Sequence, residues 1–232
     1  MEENTAKTMI PDNTPYDKTF KGLLMDCRKL ILPVLNEAFG EHYNGDEEIV
    51  FTQNEQIYPA EDGKRKRRFT DTSFMVTSHN NIIKRYHLEA ESNTDNTILL
   101  RLFEYDIKYA FDQTRKITGR ILEVSLPNTA LLYLRSDPST PDSMINRFSI
   151  PTGVFSYEIP VIKMKSYSLD EIFEKKLYFL LPFYIFNREN LFPEYEKDPV
   201  LRKQFLTEIS DILSRLKDLE KNTCLQATKS VL

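Results

Sequence analysis

Apolar side chains recur at three- and four-residue steps from Phe20 through Leu23, Leu24, Cys27, Leu30, Ile31, Val34, Leu35 and Ala38 to Phe39. Spacing of that kind lines one face of a helix, so an amphipathic helix is expected from just after Pro15 onward. Asp17 stands near its start, where a carboxylate suits the helix dipole. Pro33 cannot donate to the carbonyl of Lys29 and is expected to kink the helix, and Gly40 to end it. Three strand-like segments follow, at 49–58, 67–77 and 82–91. They are rich in Ile, Val, Phe, Thr and Tyr and separated by Glu61-Asp62-Gly63 and by Ser78-His79-Asn80-Asn81, which predicts a meander.

Residues 95–115 read as a second helix, with Asn93, Thr94 or Asp95 as cap and Leu99, Leu102, Phe103 and Ala110 as its buried side. Further strands are expected at 120–126, 130–135 and 154–164, the middle one apolar enough to be central. From about residue 168 the pattern turns helical, and 198–221 carries an apolar stripe of Leu201, Phe205, Ile209, Ile212, Leu216 and Leu219. Helix, meander, helix, strands, helices is the order of an α/β sandwich with a mixed sheet. The expected organisation is a loose arm over 1–15, one domain over 16–190 and a C-terminal helical appendage over 191–232. That last helix is also a candidate homo-oligomer contact.

Composition narrows the class. The chain is 41% apolar and 12% aromatic, enough for a core without staples. Cys27 and Cys224 lie far apart with no CxxC spacing, which fits neither a disulfide framework nor zinc and suits a reducing cytoplasm. Met1-Glu2-Glu3 lacks the basic-then-apolar layout of a signal peptide. The longest apolar run, Leu177 to Phe186, contains Pro182 and is too short to span a bilayer, so a soluble protein without membrane contact is expected. A net charge of −4 confines any nucleic-acid contact to a local patch, for which the run Lys64, Arg65, Lys66, Arg67 and Arg68 is the candidate, a solvated turn being the competing reading.

The chemistry concentrates on the third strand. In Arg85-Tyr86-His87-Leu88-Glu89-Ala90-Glu91, alternation sends His87, Glu89 and Glu91 to one face. Two carboxylates so placed repel each other, and a divalent cation would relieve that. Asp71, on the preceding strand, becomes a cross-strand neighbour of Glu89 if the two strands pair about residue 80, inside the 78–81 turn. A solvated polar sheet face is the competing reading. On the second helix Arg101, Tyr105 and Lys108 form a polar, basic stripe that suits a phosphodiester, or else an ordinary exposed face with a Glu104–Lys108 pair. His42, His79 and His87 lack metal-ligand spacing, no serine has a G-x-S-x-G context, and no glycine-rich phosphate loop exists.

Tyr16-Asp17-Lys18-Thr19-Phe20-Lys21 resembles the "hD-x-x-FK" opening of the recombination-promoting nuclease and transposase family, a branch of the PD-(D/E)XK superfamily. Asp71-Thr72-Ser73-Phe74 resembles its first-strand aspartate. Leu88-Glu89-Ala90-Glu91-Ser92 followed by Arg101-Leu102-Phe103-Glu104-Tyr105 resembles its "E-x-Q-S … R-x-x-x-Y" block, and the resemblance spans roughly residues 16–190. It implies a restriction-endonuclease-like core that binds Mg²⁺ (or Mn²⁺) and hydrolyses DNA phosphodiesters. Asp71 would be the central metal ligand and Glu89 the second. Glu37 would be the first-helix acid, with Glu41 as alternative. Glu91 stands where the superfamily has lysine, so transition-state charge would fall to Lys108 or Arg101, beside Tyr105. A catalytically silent DNA- or protein-binding module, and a structural protein working through 198–221, are the other two readings.

Overall fold

The computed structural model describes residues 15–51, 55–59, 65–69, 73–92 and 97–218. The first helical region is two helices: α1 (Pro15–Asp26) and α2 (Leu32–Phe39), joined by a 3₁₀ turn over Arg28–Ile31. Cys27 leaves helical geometry there (φ −125°, ψ 44°). Pro33 therefore does not kink a running helix. It sits in the first turn of α2, where its missing N–H costs nothing. Gly40 ends α2 in the left-handed conformation (φ 65°), its N–H donating to the Asn36 carbonyl at 2.9 Å. Nothing crowds the position of an added Cβ, so only backbone strain opposes one. Gly40→Ala is expected to lower stability by about 1 kcal/mol and Gly40→Asn by less, read from urea midpoints.

The remaining elements, in chain order, begin with β1 (Glu48–Phe51), β2 (Glu55–Pro59), β3 (Arg65–Phe69), β4 (Ser73–Thr77) and β5 (Ile83–Glu91). Then come α3 (Ile98–Gln113), β6 (Lys116–Thr118), β7 (Ile121–Glu123), β8 (Asn128–Tyr133), β9 (Ser143–Ile150) and β10 (Gly153–Lys163). After a 3₁₀ turn, α4 (Leu169–Glu174), a 3₁₀ stretch over Tyr178–Asn187, α5 (Phe192–Lys197) and α6 (Pro199–Asp218) are the last described elements. Six strands form one mixed sheet in the order β1-β4-β5-β8-β10-β9. β1, β4 and β5 are antiparallel neighbours, α3 crosses over to put β8 parallel to β5, and β10 lies parallel to β8. β2–β3 and β6–β7 are separate two-stranded ribbons.

The expected segments 49–58 and 67–77 each divide in two, and residues 52–54 and 70–72 between their halves lie outside the described residues. β9 has no counterpart among the expected strands. It is the edge of the sheet, and its polarity is out of step with its burial, since Ile145 is exposed and Asn146 buried, so its periodicity is faint in the sequence.

The sheet has two differently covered faces. Phe74 and Val76 of β4, Tyr86 and Leu88 of β5, and Ala130 and Leu132 of β8 join the larger core. That core also holds α1, α2, the 3₁₀ stretch and two residues of α6. On the other face Leu131, Tyr133, Ile159 and Val161 pack under Ile98 and Leu102 of α3. Strand alternation thus directs even positions of β5 to the larger core and odd positions beneath α3. Among the described residues no helix is long and apolar enough to cross a membrane.

α6 is part of the larger core. Ile212 and Leu216 are completely buried in it and Ile209 packs against it. Phe205 instead meets Phe192 and Tyr195. The stripe that made this helix an oligomer candidate is thus turned largely onto its own domain.

Candidate functional site

The odd face of β5 carries His87 and Glu89, and α3 lies over it. His87 is 1% exposed, yet both ring nitrogens have carboxylate partners. Nδ1 is 2.6 Å from Oδ1 of Asp106 on α3, and Nε2 is 3.4 Å from Oε1 of Glu89. Asp106 is wholly buried. Its other oxygen accepts from the Tyr157 hydroxyl at 3.4 Å, and Tyr157 in turn accepts from Nδ2 of Asn146 at 3.0 Å.

A buried imidazole ordinarily loses its proton. Burial does oppose the charge on His87, but Asp106 and Glu89 outweigh it and hold the pKa up at about 9. Burial likewise works against the Glu89 carboxylate, but the hydrogen bond and charge of His87, with the charges of Arg101 and Lys21, carry its pKa below the usual value. Glu89 is therefore an ionised carboxylate, 18% exposed, set among three positive groups from three elements. Burial and the Asp106 charge push the Tyr157 hydroxyl up to about 12, so it stays a donor.

Glu91, two residues on, accepts from Arg101 of α3 at 2.7 Å. The following helix thus supplies a guanidinium to Glu91. At the end of β5 the Tyr16 hydroxyl of α1 and the Ser92 hydroxyl are hydrogen-bonded. Arg135, past β8, donates from Nη1 to the Ser92 carbonyl at 3.5 Å and grips Glu189 through Nε. Its guanidinium lies over the rings of Phe186 and Tyr16, 4.6 and 5.9 Å from their centroids. These contacts hold the head of α1 against the C-terminal end of β5, so the first and third segments of the family resemblance are neighbours in space.

The pairing of β4 with β5 is antiparallel and centred on residue 80, as expected, from Ser73 opposite His87 to Thr77 opposite Ile83. Asp71 itself lies outside the described residues. Glu89, Glu91 and Arg101 are brought together. Tyr105 is not on an exposed stripe: only 6% of it is accessible, with its ring centroid 6.0 Å from that of His87. Helical pitch rotates it under α3 beside Leu102 and Asp106. Lys108 is partly exposed on the same helix.

Glu37 is not brought to Glu89. It projects from α2, which packs on the opposite face of the sheet, and accepts from Lys175 at 2.6 Å and from the Tyr167 hydroxyl at 3.1 Å. Glu41 accepts from Lys84 at 2.6 Å and from Tyr86 at 3.1 Å, toward the other end of β5. Arg65, Lys66, Arg67 and Arg68 fall within β3, paired with β2. Lys64 lies outside the described residues, as do Asn93, Thr94 and Asp95, and the residue ahead of α3 is Thr97.

Asp106, Tyr157 and Asn146 escaped the sequence reading. Asp106 had a legible signal, since Leu102, Asp106, Tyr109 and Ala110 share one helical face and a carboxylate on such a face needs a partner. Asn146 carried none, because β9 was not anticipated, and Tyr157, on the expected strand 154–164, had no visible partner in the sequence. Among the described residues no three His, Cys, Asp or Glu side chains converge to enclose a metal ion.

The chain matches no protein-family model, no curated protein and no solved structure.

Proposed function

We propose that the chain is a Mg²⁺-dependent DNA-cleaving domain of the PD-(D/E)XK type, with a restriction-endonuclease-like core. The observation that carries this reading is Glu89: an ionised, partly accessible carboxylate on a central strand, in a strand pair centred on residue 80. The donor chemistry suits the ion, since Mg²⁺ takes hard oxygen ligands from one or two carboxylates. Glu89 would hold it together with Asp71. When bound, the ion would lower the pKa of a water and neutralise charge on the phosphodiester. The chain's own part is electrostatic. Arg101, held by Glu91, and Lys21 set positive charge around Glu89, where an anionic substrate would otherwise be repelled. The basic run Lys64–Arg68 would grip the DNA backbone with little sequence preference.

A plasmid-nicking assay tests the proposal. Wild type with Mg²⁺ is expected to convert supercoiled to open circular DNA, and Glu89→Gln and Asp71→Ala to lose roughly 100-fold or more of that rate, as several kcal/mol of charge stabilisation disappear. A wild type inactive with both Mg²⁺ and Mn²⁺, or a Glu89→Gln variant as active as wild type, would sink it. One observation favours a second reading. Glu91 is committed to an ion pair with Arg101, which suits a catalytically silent DNA-binding module on the same fold. That reading predicts gel-shift binding without cleavage under any divalent ion.

A further inference from the structure

A continuous hydrogen-bonded chain crosses the sheet beneath α3. It starts at Asn146 on β9, passes through Tyr157 on β10, Asp106 on α3 and His87 on β5, and ends at Glu89. Four elements contribute to it, and His87 and Asp106 at its centre are sealed from solvent. A stabilising role explains it poorly. Buried ionic pairs recover little beyond their desolvation cost, and apolar side chains of similar volume often serve stability as well or better. Such a chain instead provides fixed orientation. An imidazole held at both nitrogens cannot rotate, and the nitrogen facing outward braces one oxygen of Glu89. Asp106 is itself braced from behind by Tyr157, so the restraint extends across the sheet to β10 and the edge strand β9.

We propose that Asp106 and His87 are positioning residues that fix the Glu89 carboxylate for a divalent cation, with Tyr157 and Asn146 anchoring the far end. The inference rests on the reading of Glu89 as a metal ligand, and it extends the site from the strand surface into the fold. Partners behind a metal ligand commonly account for 10- to 100-fold in metal affinity, and that is the effect expected here.

The test measures Mn²⁺ binding by electron paramagnetic resonance on the full chain, alongside urea midpoints, for wild type, Glu89→Gln and the double variant His87→Leu/Asp106→Leu. Replacing both partners removes the brace without stranding a buried charge. The double variant is expected to keep a near wild-type urea midpoint while binding Mn²⁺ roughly 10- to 100-fold more weakly. A folded double variant with unchanged Mn²⁺ affinity overturns the proposal, and so does a wild type that binds Mn²⁺ no better than Glu89→Gln. Wild type that binds Mn²⁺ through Glu89 yet never nicks DNA removes the nuclease reading alone and leaves the positioning claim to the affinity comparison. Should the double variant fail to fold, Asp106→Asn against Asp106→Ala decides. The amide oxygen still accepts from the imidazole, so Asp106→Asn is expected within about 3-fold of wild type and Asp106→Ala at least about 10-fold weaker. Equal affinities in those two variants overturn the proposal.

Discussion

Ile212→Asp is expected to unfold the whole domain, not to loosen a C-terminal tail. Ile212 has no exposed surface and sits with Leu216 in the larger core, among residues of α1, β5, β8 and the 3₁₀ stretch. Losing the isoleucine costs about 2–5 kcal/mol through transfer and cavity terms. The aspartate then needs solvent that the core does not supply, so it must protonate or force the helix away. The combined cost exceeds about 4 kcal/mol, a large part of the roughly 5–15 kcal/mol available to a domain. Polar clamps fix the same helix. Arg188 donates to Glu208 at 2.8 Å and Tyr184 donates to it at 3.1 Å. Arg215 donates to Asp170 at 2.8 Å and lies 3.8 Å from the centroid of the Phe173 ring. Val200→Asp is the control, because Val200 is 64% exposed on that helix and its replacement should change stability by no more than about 0.5 kcal/mol. Urea unfolding followed by circular dichroism reads both. An Ile212→Asp protein with a wild-type midpoint would show that residues 191–232 are a detachable appendage.

The sequence made the sheet legible where strands are half or fully buried, because burial on one face writes alternation into the chain. β5 and β8 were located to within two residues on that signal, and Leu131, Leu132 and Tyr133 marked a central strand correctly. The signal fails at the edges. Ser143–Ile150 pairs on one side only, and its inward positions include the polar Asn146 while the apolar Ile145 is exposed, which hides the alternation. The first helical region failed differently. The apolar stripe runs unbroken from Phe20 to Phe39, yet the backbone changes geometry at Cys27. The 3₁₀ turn keeps apolar residues on the core side at nearly the same spacing, so periodicity alone could not reveal the break.

The candidate site was legible as a strand pattern and illegible as a network. Period two was enough to place His87 and Glu89 on one face. It could not say what lies above that face, and there α3 supplies a buried aspartate. The stripe through Arg101, Tyr105 and Lys108 rests on polarity, whereas helical geometry places the Tyr105 ring between Leu102 and Tyr109 on the covered side. Glu37 was judged by its position on the first helix, but the packing of α2 against the larger core turns it toward Lys175.

Stability is expected to fall as pH rises from about 6.5 to 9, and His87 is the cause. The imidazole binds its proton with a pKa near 9 in the folded chain and 6.5 when unfolded. Between those values the folded state holds one proton more than the unfolded state, so unfolding free energy drops by about 1.4 kcal/mol per pH unit. The total is on the order of 3 kcal/mol, fully present below pH 6.5 and gone above 9. Asp106 from α3 and Glu89 from β5 face the ring and stabilise its charge, and the Tyr105 ring meets it edge-on. Tyr157 stays a neutral donor behind Asp106, while Arg101 and Lys21 act on Glu89. Glu89 has the opposite sign: its folded pKa is lowered from 4.5, so its contribution exists above that value and is lost on acidification. For this pair the stability maximum therefore lies between about pH 4.5 and 6.5. The other shifted groups among the described residues leave the window clear. Carboxylates such as Glu47 and Glu171 are lowered from 4.5, tyrosines are raised from 10.0 and Lys84 is raised from 10.5. Urea midpoints at pH 6, 7, 8 and 9 should thus decline steadily for wild type, and much more weakly for His87→Leu/Asp106→Leu, where no ring remains to titrate. A wild-type profile flat across that range would mean that His87 is neutral when buried. The ring could then donate to only one of its two carboxylates, and the brace on Glu89 would be broken at one end.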